Sequence, residues 1–452
     1  MTTFAEPVHR EAAVEPLPDR RVRPRPRHRR DQRKKSSGIT RAVLILALTA
    51  LVVAIFVFKV ATLENLRKDP VWATYSIVVT SFILSRFVLA WLYRPARRFT
   101  RSDYRPSVAI IIPAYNEPDI ARTLRACLDV DYPAHLLQVV VVDDKSTDDT
   151  LQRIWTVASE RSELVVVPAE VNRGKRHAMA TGIAAADEDA EVLVFIDSDS
   201  QVTPDAVTTL VRYFADPRVG AVAGHTDVAN ASTNMLTRMQ SMQYYIAFRI
   251  YKSAEALFGS VMCCSGCFSG YRRDAVAPVL DAWLNQRFLG RPSTFGDDRS
   301  LTNFLLPDWR VLYAPDAQAY TNVPERLRQF LRQQLRWKKS WLRESFRAAA
   351  AVRRKHPLMV VMFSLSIALP LLAPQVVLRA MVVQPHFISQ LPYWYFGGVA
   401  MMACIYAIYY RLHGPAKGWY QGIFFTMFYT IILVLQLPYA MATVRDSKWG
   451  TR

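Results

Sequence analysis

Two apolar runs near the start of the chain, residues 42–60 and 72–93, constrain its fold more than any other feature of the sequence. Each is close to the roughly 20 apolar residues that a helix needs to cross a bilayer. Each holds a single charge, Lys59 in the first and Arg86 in the second. What lies outside them is basic. Residues 1–41 carry 12 Lys or Arg against five acids, and residues 94–105 carry five against one. A third block, 324–356, carries 11 against two and precedes three more apolar stretches at 357–383, 391–410 and 419–444. These blocks account for the whole net charge of +19, so no nucleic-acid partner is expected, because such a partner needs its charge on one folded face. Basic flanks beside apolar runs belong on the cytoplasmic side of a membrane. A buried hairpin of a soluble domain is the alternative. The flanks and the short link 61–71 favour two transmembrane helices within 42–93, with the tail and everything after Arg94 cytoplasmic. A multi-pass protein of the plasma membrane, in contact with the lipid bilayer, is therefore expected. Residues 1–41 are rich in Pro and Arg and lack apolar periodicity, so they read as a disordered tail. They are not a secretory signal, because the charged stretch is long and the next apolar run has no small-residue cleavage site.

Residues 94–323 read as one α/β domain. Short β-branched runs at 108–112, 139–142, 164–167 and 192–196 alternate with amphipathic stretches at 120–128, 151–159, 177–186 and 204–214. That alternation implies βαβ units on a mostly parallel sheet. Acids gather where runs end, Asp143 and Asp144 after one and Asp197 and Asp199 after another. Ligands of open α/β sheets bind at the carboxyl ends of strands, so these acids should ring one crevice.

In block 324–356, Leu327, Phe330, Leu331, Leu335, Leu342 and Phe346 fall on one helical stripe opposite a basic side. This is the pattern of a helix lying in the membrane interface, or packed on the domain. Residues 357–445 read as a C-terminal transmembrane region and 446–452 as a tail. Three simple spans there would leave the basic end outside, against the positive-inside expectation. Either 357–383 breaks at Pro370 and Pro374 into a re-entrant pair, or the rule fails. Cys264 and Cys267 have redox or half-zinc spacing, but no second Cys/His pair stands nearby, and a packed loop is the simpler reading.

Six short motifs follow in order: Ile112-Pro-Ala-Tyr-Asn-Glu117, Val142-Asp-Asp-Lys-Ser146, Asn172-Arg-Gly-Lys175, Asp197-Ser-Asp199, Gly296-Asp-Asp-Arg299 and Gln333-Gln-Leu-Arg-Trp337. An Asp-x-Asp pair directly after a buried strand can hold Mg2+ or Mn2+, which in turn holds a diphosphate. The ordered set resembles the processive members of glycosyltransferase family 2, over about residues 70 to 445. The stretches 296–302 and 333–345 look most like hyaluronan synthases; chitin-oligosaccharide synthases are close relatives. Cellulose synthases, with Thr-Glu-Asp in place of Gly-Asp-Asp, are less similar.

The resemblance implies a GT-A domain inserted between membrane helices, UDP-sugar donors, a growing polysaccharide acceptor, and Mg2+ or Mn2+ as cofactor. By matching positions, it implies that Tyr115 and Glu117 line a uridine pocket, with Asp144 or Asp143 reading the base. Lys175 is then the cation near the donor, Asp197 faces the ribose and donor, and Asp199, with Asp197, ligates the metal. Asp298 matches the catalytic base, and Arg299 is expected to pair locally with an acid or a phosphate. Ser265 and Gly266 belong to the acceptor loop, where hyaluronan synthases tend to have Ser-Gly-Pro and this chain has Ser265-Gly-Cys267. Gln333, Arg336 and Trp337 are i, i+3 and i+4 and share one helix flank. Trp337 is read as a sugar platform, with an interfacial anchor as its alternative.

A sugar hydroxyl is a poor nucleophile at neutral pH, so a positioned carboxylate must take its proton as it attacks the anomeric carbon. A divalent ion and the Arg336 guanidinium can neutralise the departing diphosphate. Two other readings compete: a lipid-linked single-sugar transferase, which has no need of the Gln-x-x-Arg-Trp flank, and an inactive scaffold, which has no need of Asp199 or Asp298.

Overall fold

The computed structural model describes residues 38–61, 70–95, 103–388, 391–414 and 418–446. Most of the expected tails, residues 1–37 and 447–452, and most of the link between the first two helices, 62–69, lie outside the described residues.

The β-branched runs form the strands that their composition favours. They are β1 (Val108–Ala114), β2 (Leu137–Asp143), β3 (Leu164–Pro168) and β4 (Val192–Phe195). All seven residues of β1 are buried, as expected for a central strand covered on both faces. Four more strands complete the sheet: β5 (Ser200–Val202), β6 (Val219–Val228), β7 (Ser269–Arg272) and β10 (Arg310–Thr321). A separate small hairpin pairs β8 (Arg287–Phe288) with β9 (Arg291–Pro292). The eight-stranded sheet has the order β3-β2-β1-β4-β7-β6-β10-β5.

Neighbours are parallel from β3 to β4, as the alternating pattern implies. The other half is mixed, because β7 runs antiparallel to both β4 and β6. That reversal has a consequence for the site. In register, Phe195 of β4 faces Ser269 of β7, so the start of β7 lies at the carboxyl end of β4. The loop before β7, residues 263–268, is thereby delivered beside the acids that follow β4.

Among the described residues, three helical segments are long and apolar enough to cross a membrane: Pro70–Leu92, Pro357–Phe387 and Gln421–Ala442. The first expected run lies within helix α1 (Gly38–Ala61), whose apolar described part is the shorter Val43–Val57. The run expected at 391–410 is the helix Tyr393–His413, which is not among those three. Helix α2 (Pro70–Leu92) packs on the helix Pro357–Leu378, with Tyr75 Oη donating to Leu369 O (3.1 Å) and Arg86 Nη2 to Met362 O (3.4 Å). Of the two alternatives for this region, the break at Pro370 and Pro374 is absent, and the helix passes both. Spaced i, i+4, the two prolines interrupt a single strip of its hydrogen bonds. The break lies in the last apolar segment, where a 3-10 turn at Leu433–Leu435 separates Gln421–Ile431 from Gln436–Ala442.

The basic block forms the helix Leu327–Val352. Its expected apolar stripe is not one packed face. Phe330 is fully buried, but Leu327 and Phe346 are exposed, while Gln334, Lys339, Ser340, Arg343 and Glu344 are buried. The polar flank is held instead. Gln286 Nε2 donates to Glu344 Oε1 (2.7 Å), and Arg343 donates to Val444 O (2.6 Å) and Asp446 O (2.9 Å). The helix is thus gripped by the catalytic domain on one side and by the chain's C-terminal end on the other.

Helix α3 (Ile120–Leu128) and helix α4 (Thr150–Glu160) precede α5 (Lys175–Ala185), which lies on β1 and β2. The contact is closest at Gly182, where an added Cβ would stand 2.3 Å from Ile111 Cγ2. Ile111 is fully buried and β-branched and cannot turn aside. Gly182→Ala should therefore destabilise the domain by about 1–3 kcal/mol. Thermal unfolding of the detergent-solubilised chain checks this, and an unchanged melting temperature would contradict the packing.

Candidate active site

The site is built at the carboxyl ends of β1, β2 and β4, where the turns that follow these strands meet the start of α5, the loop before β7 and the first turn of the helix Asp297–Leu305. The turn after β1 is tied to the turn after β2. Asn116, at φ 49°, donates its N–H to Ser146 Oγ (3.0 Å) and accepts at Oδ1 from the Thr147 N–H (2.8 Å). Glu117 is buried; its Oε1 accepts from the Asp119 N–H (3.1 Å), and its own N–H donates to Thr150 Oγ1 (2.7 Å). Tyr115 is half-buried in the same turn.

The two acids after β2 behave differently. Asp144 accepts from the N–H groups of Arg173 (3.0 Å) and Gly174 (2.8 Å), which ties it to the turn that opens α5. Burial raises its carboxyl above the usual range, and those two N–H groups offset part of the rise. Asp143 accepts from the Ser146 N–H (3.1 Å) through Oδ2, while its buried Oδ1 has no partner. Asp143 is therefore the acid with an acceptor to spare.

Lys175 opens α5 and its ammonium contacts Asp197 Oδ1; each side chain is about a quarter exposed (25% and 26%). Burial alone would lower the Lys175 ammonium, but Asp197, with Asp298 and Asp297 nearby, raises it well above the usual range. Gly266 lies against this pair. A Cβ there would stand 2.8 Å from Lys175 Nζ and 2.9 Å from Asp197 Oδ1. The Gly266 N–H donates to Asp298 Oδ2 (3.3 Å), and Asp298 Oδ1 accepts from the Arg299 N–H (2.8 Å). Lys175, Asp197, Gly266 and Asp298 accordingly line one crevice, floored by Met179, Phe195 and Tyr271.

Asp199 lies two residues beyond Asp197 and accepts at Oδ1 from Thr321 Oγ1 (3.2 Å). Among the described residues no three His, Cys, Asp or Glu side chains gather as metal ligands, so the chain offers this acid pair. The pair suits Mg2+ or Mn2+, hard cations that commonly take one or two carboxylates together with substrate phosphates.

The flank on the helix Leu327–Val352 closes the site. Burial lowers the Arg336 guanidinium, opposed by Asp298, Asp297 and Asp197, so this cation stands among the acids. Gln333 keeps a buried Oε1 without a partner. Trp337 is 37% exposed and lies beside Tyr244, with ring centroids 6.3 Å apart and planes at 53°. Ser265 accepts from Lys252 Nζ (2.9 Å). Among the described residues the Arg299 guanidinium has no ion pair with an acid, and it lies near enough to influence Cys263.

Sequence reasoning gave no role to Arg176, Asp297 or Tyr244. Arg176 Nε bonds Asp297 Oδ1 at 2.8 Å with both side chains 4–5% exposed, and stacks over Trp283 (5.1 Å). The only signal was adjacency to Lys175 and Asp298, which cannot reveal a pairing 121 residues apart.

Residues 109–280 match the glycosyl transferase family 2 domain. A hyaluronan synthase of Streptococcus pyogenes serotype M6 is 31% identical over 422 residues, covering 89% of this chain and 97% of that protein. An N-acetylglucosaminyltransferase of Rhizobium meliloti is 34% identical over 359 residues, covering 77% of this chain and 82% of that one. A mannosyltransferase from Pyrobaculum calidifontis, solved with GDP-Man and Mn2+, is similar in structure. Its TM-score is 0.53 at 22% identity, over 81% of this chain and 99% of that one, a likeness of fold.

The crowding at Gly266 gives a direct test. Gly266→Ala must displace the Lys175 ammonium, the Asp197 carboxylate or the loop itself, and misplacing reacting groups by about 1 Å costs roughly 10²-fold in rate. Sugar-transfer activity should fall by about that factor while the melting temperature holds. Full activity would mean that the loop is not seated against the pair during turnover.

Proposed function

The chain belongs to glycosyltransferase family 2 and is a polysaccharide synthase of that family, and from this premise we propose a processive, inverting enzyme that joins UDP-N-acetylglucosamine and UDP-glucuronate into a hyaluronan-like polymer. The observation that carries the reading is the convergence of Asp298, Gly266, Lys175 and Asp197 in one crevice. A base, a cation and a donor-side acid are then within reach of a single sugar.

In this reading Asp298 takes the proton of the acceptor hydroxyl as that oxygen attacks the anomeric carbon, and a single displacement inverts the centre. Its carboxylate is aimed by the Gly266 N–H on one oxygen and by the Arg299 N–H on the other. Asp197 and Asp199 would hold a divalent cation, which when bound supplies positive charge to the departing diphosphate. Lys175 and Arg336 add fixed positive charge on the same side, in a site from which water is partly excluded. The unpartnered Oδ1 of Asp143 is the acceptor left for an N–H of the nucleotide base, and Tyr115 and Glu117 line the same pocket. Trp337 and Tyr244 offer flat apolar faces to the acceptor chain, while Gln333 and Ser265 supply polar contacts.

The catalytic domain is cytoplasmic in the plasma membrane, and the polymer leaves between the chain's own helices. The positive-inside pattern supports that side for the domain. For the C-terminal end, support comes from the Arg343 bonds to Val444 and Asp446, which hold the residues beyond the last apolar segment against the helix that flanks the site.

A chitin-type polymer from UDP-N-acetylglucosamine alone is the second reading, favoured by Cys267 in place of the proline of hyaluronan-type acceptor loops. Donor dependence separates the two. With the purified chain, high-molecular-weight product should require both donors and be degraded by hyaluronan-specific hydrolases. Product from UDP-N-acetylglucosamine alone, unchanged by UDP-glucuronate, would establish the second reading. The base assignment has its own test: Asp298→Asn should lower polymer synthesis by roughly 10² or more while UDP binding survives. Near-normal turnover would refute it.

A further inference from the structure

The helix Met235–Ile246 continues into a π-helical turn at Ala247–Lys252, an irregularity that often marks a working part of a protein. The turn ends on Lys252, a lysine that is only 9% exposed. A buried ammonium requires compensation. Lys252 finds it in the loop before β7, where its Nζ donates to the carbonyl oxygen of Cys263 and to Ser265 Oγ (2.9 Å), and in the Phe248 ring, 4.6 Å from the centroid. Its bonds are therefore spent on the loop's shape.

The same loop faces Asp298. Cys263 Sγ stands 3.6 Å from Asp298 Oδ2, a normal separation for a sulfur donor, and the Gly266 N–H reaches the same oxygen. Burial, with Asp298 beside it, pushes the Cys263 thiol up to about 12, so it keeps its proton and can donate. Asp298 Oδ1 is meanwhile engaged by the Arg299 N–H in the first turn of the helix Asp297–Leu305.

We propose that Cys263 is a positioning residue for the base. Its S–H and the Gly266 N–H fix the rotation of the Asp298 carboxylate, and Lys252 braces the loop that carries both. This rests on the reading of Asp298 as the base. A thiol is a weak donor, so it restrains the carboxylate without quenching its basicity as a charged partner would. The arrangement also ties the π-helical turn to the base through one side chain.

The test compares Cys263→Ala, Cys263→Ser, Lys252→Met and Asp298→Asn in the full-length purified chain, measuring kcat, KM for each donor, and UDP affinity. Cys263→Ala should lower kcat about tenfold, the usual weight of one hydrogen bond to a charged group. KM and UDP affinity should stay within about twofold, since nothing on the donor side is touched. Cys263→Ser restores a donor and should recover most of the loss, which a merely space-filling role would not predict. Lys252→Met should likewise act on kcat rather than KM. Wild-type kcat in Cys263→Ala, or a serine variant no better than the alanine, overturns the proposal. So does an equal loss in UDP affinity. If Asp298→Asn is itself active, the base assignment fails and takes the proposal with it. If Asp298→Asn is inactive while Cys263→Ala is normal, the positioning role alone is wrong.

Discussion

The buried ion pair between Arg176 and Asp297 is the contact on which the site depends. Its members are sequence neighbours of Lys175 and Asp298, so one bond of 2.8 Å fixes where two functional side chains from distant parts of the chain meet. Such a pair is a poor source of net stability, because removing two charges from water costs about as much as their attraction returns. Its value is geometric. Arg176 also donates to Trp283 O (2.8 Å) and Gln286 Oε1 (3.2 Å), and Trp283 Nε1 donates to Asp297 O (3.3 Å). These added bonds hold the guanidinium through Nε and Nη1 and leave little freedom for the first turn of the helix Asp297–Leu305.

The same cluster reaches the helix Leu327–Val352. Gln286 bonds Glu344 (2.7 Å) as well as Arg176, and Glu344 lies on the helix that carries Gln333, Arg336 and Trp337. A continuous polar chain therefore runs from Asp297 through Arg176, Gln286 and Glu344 to that flank. On its far side the helix is held at Arg343 by Val444 and Asp446. The arrangement explains why a helix with an apolar stripe in sequence buries its polar residues. Position is set by the bonds at Arg343 and Glu344, and Leu327 and Phe346 are left outward for an apolar surrounding.

The parts of the fold legible in the sequence are those with a short-range cause. Short, continuous β-branched runs mark β1 to β4, and acids at strand ends mark the crevice, because both signals sit within a few residues of their effect. The reversal of β7 was not legible. Ser269–Arg272 is four residues long and reads the same in either direction, and only its register with Phe195 reveals how the loop reaches Asp197. Arg176, Lys252 and Cys263 escaped for a related reason, since each owes its role to a partner that only the folded sheet brings near. Pro370 and Pro374 offered one of two ways to reconcile the basic C-terminal end with the positive-inside pattern, yet the helix passes both, and helical bonding changes instead at Leu433–Leu435, where Pro438 has no N–H to give the Val434 carbonyl.

The loop from Cys263 to Cys267 then divides its work by position. Cys263 and Gly266 address Asp298, and Ser265 is turned back toward Lys252. Cys267 lies near another pair of acids: its thiol is raised by burial and by Asp197 and Asp199. Cys267 therefore makes none of the bonds by which the loop holds Asp298. A proline there would remove one N–H and fix one torsion, leaving the bonds of Cys263 and Gly266 to Asp298 formally intact. Within five residues, then, the contacts that hold Asp298 and the contacts near Asp197 and Asp199 belong to different side chains, so under the proposed function one set can change while the other is kept.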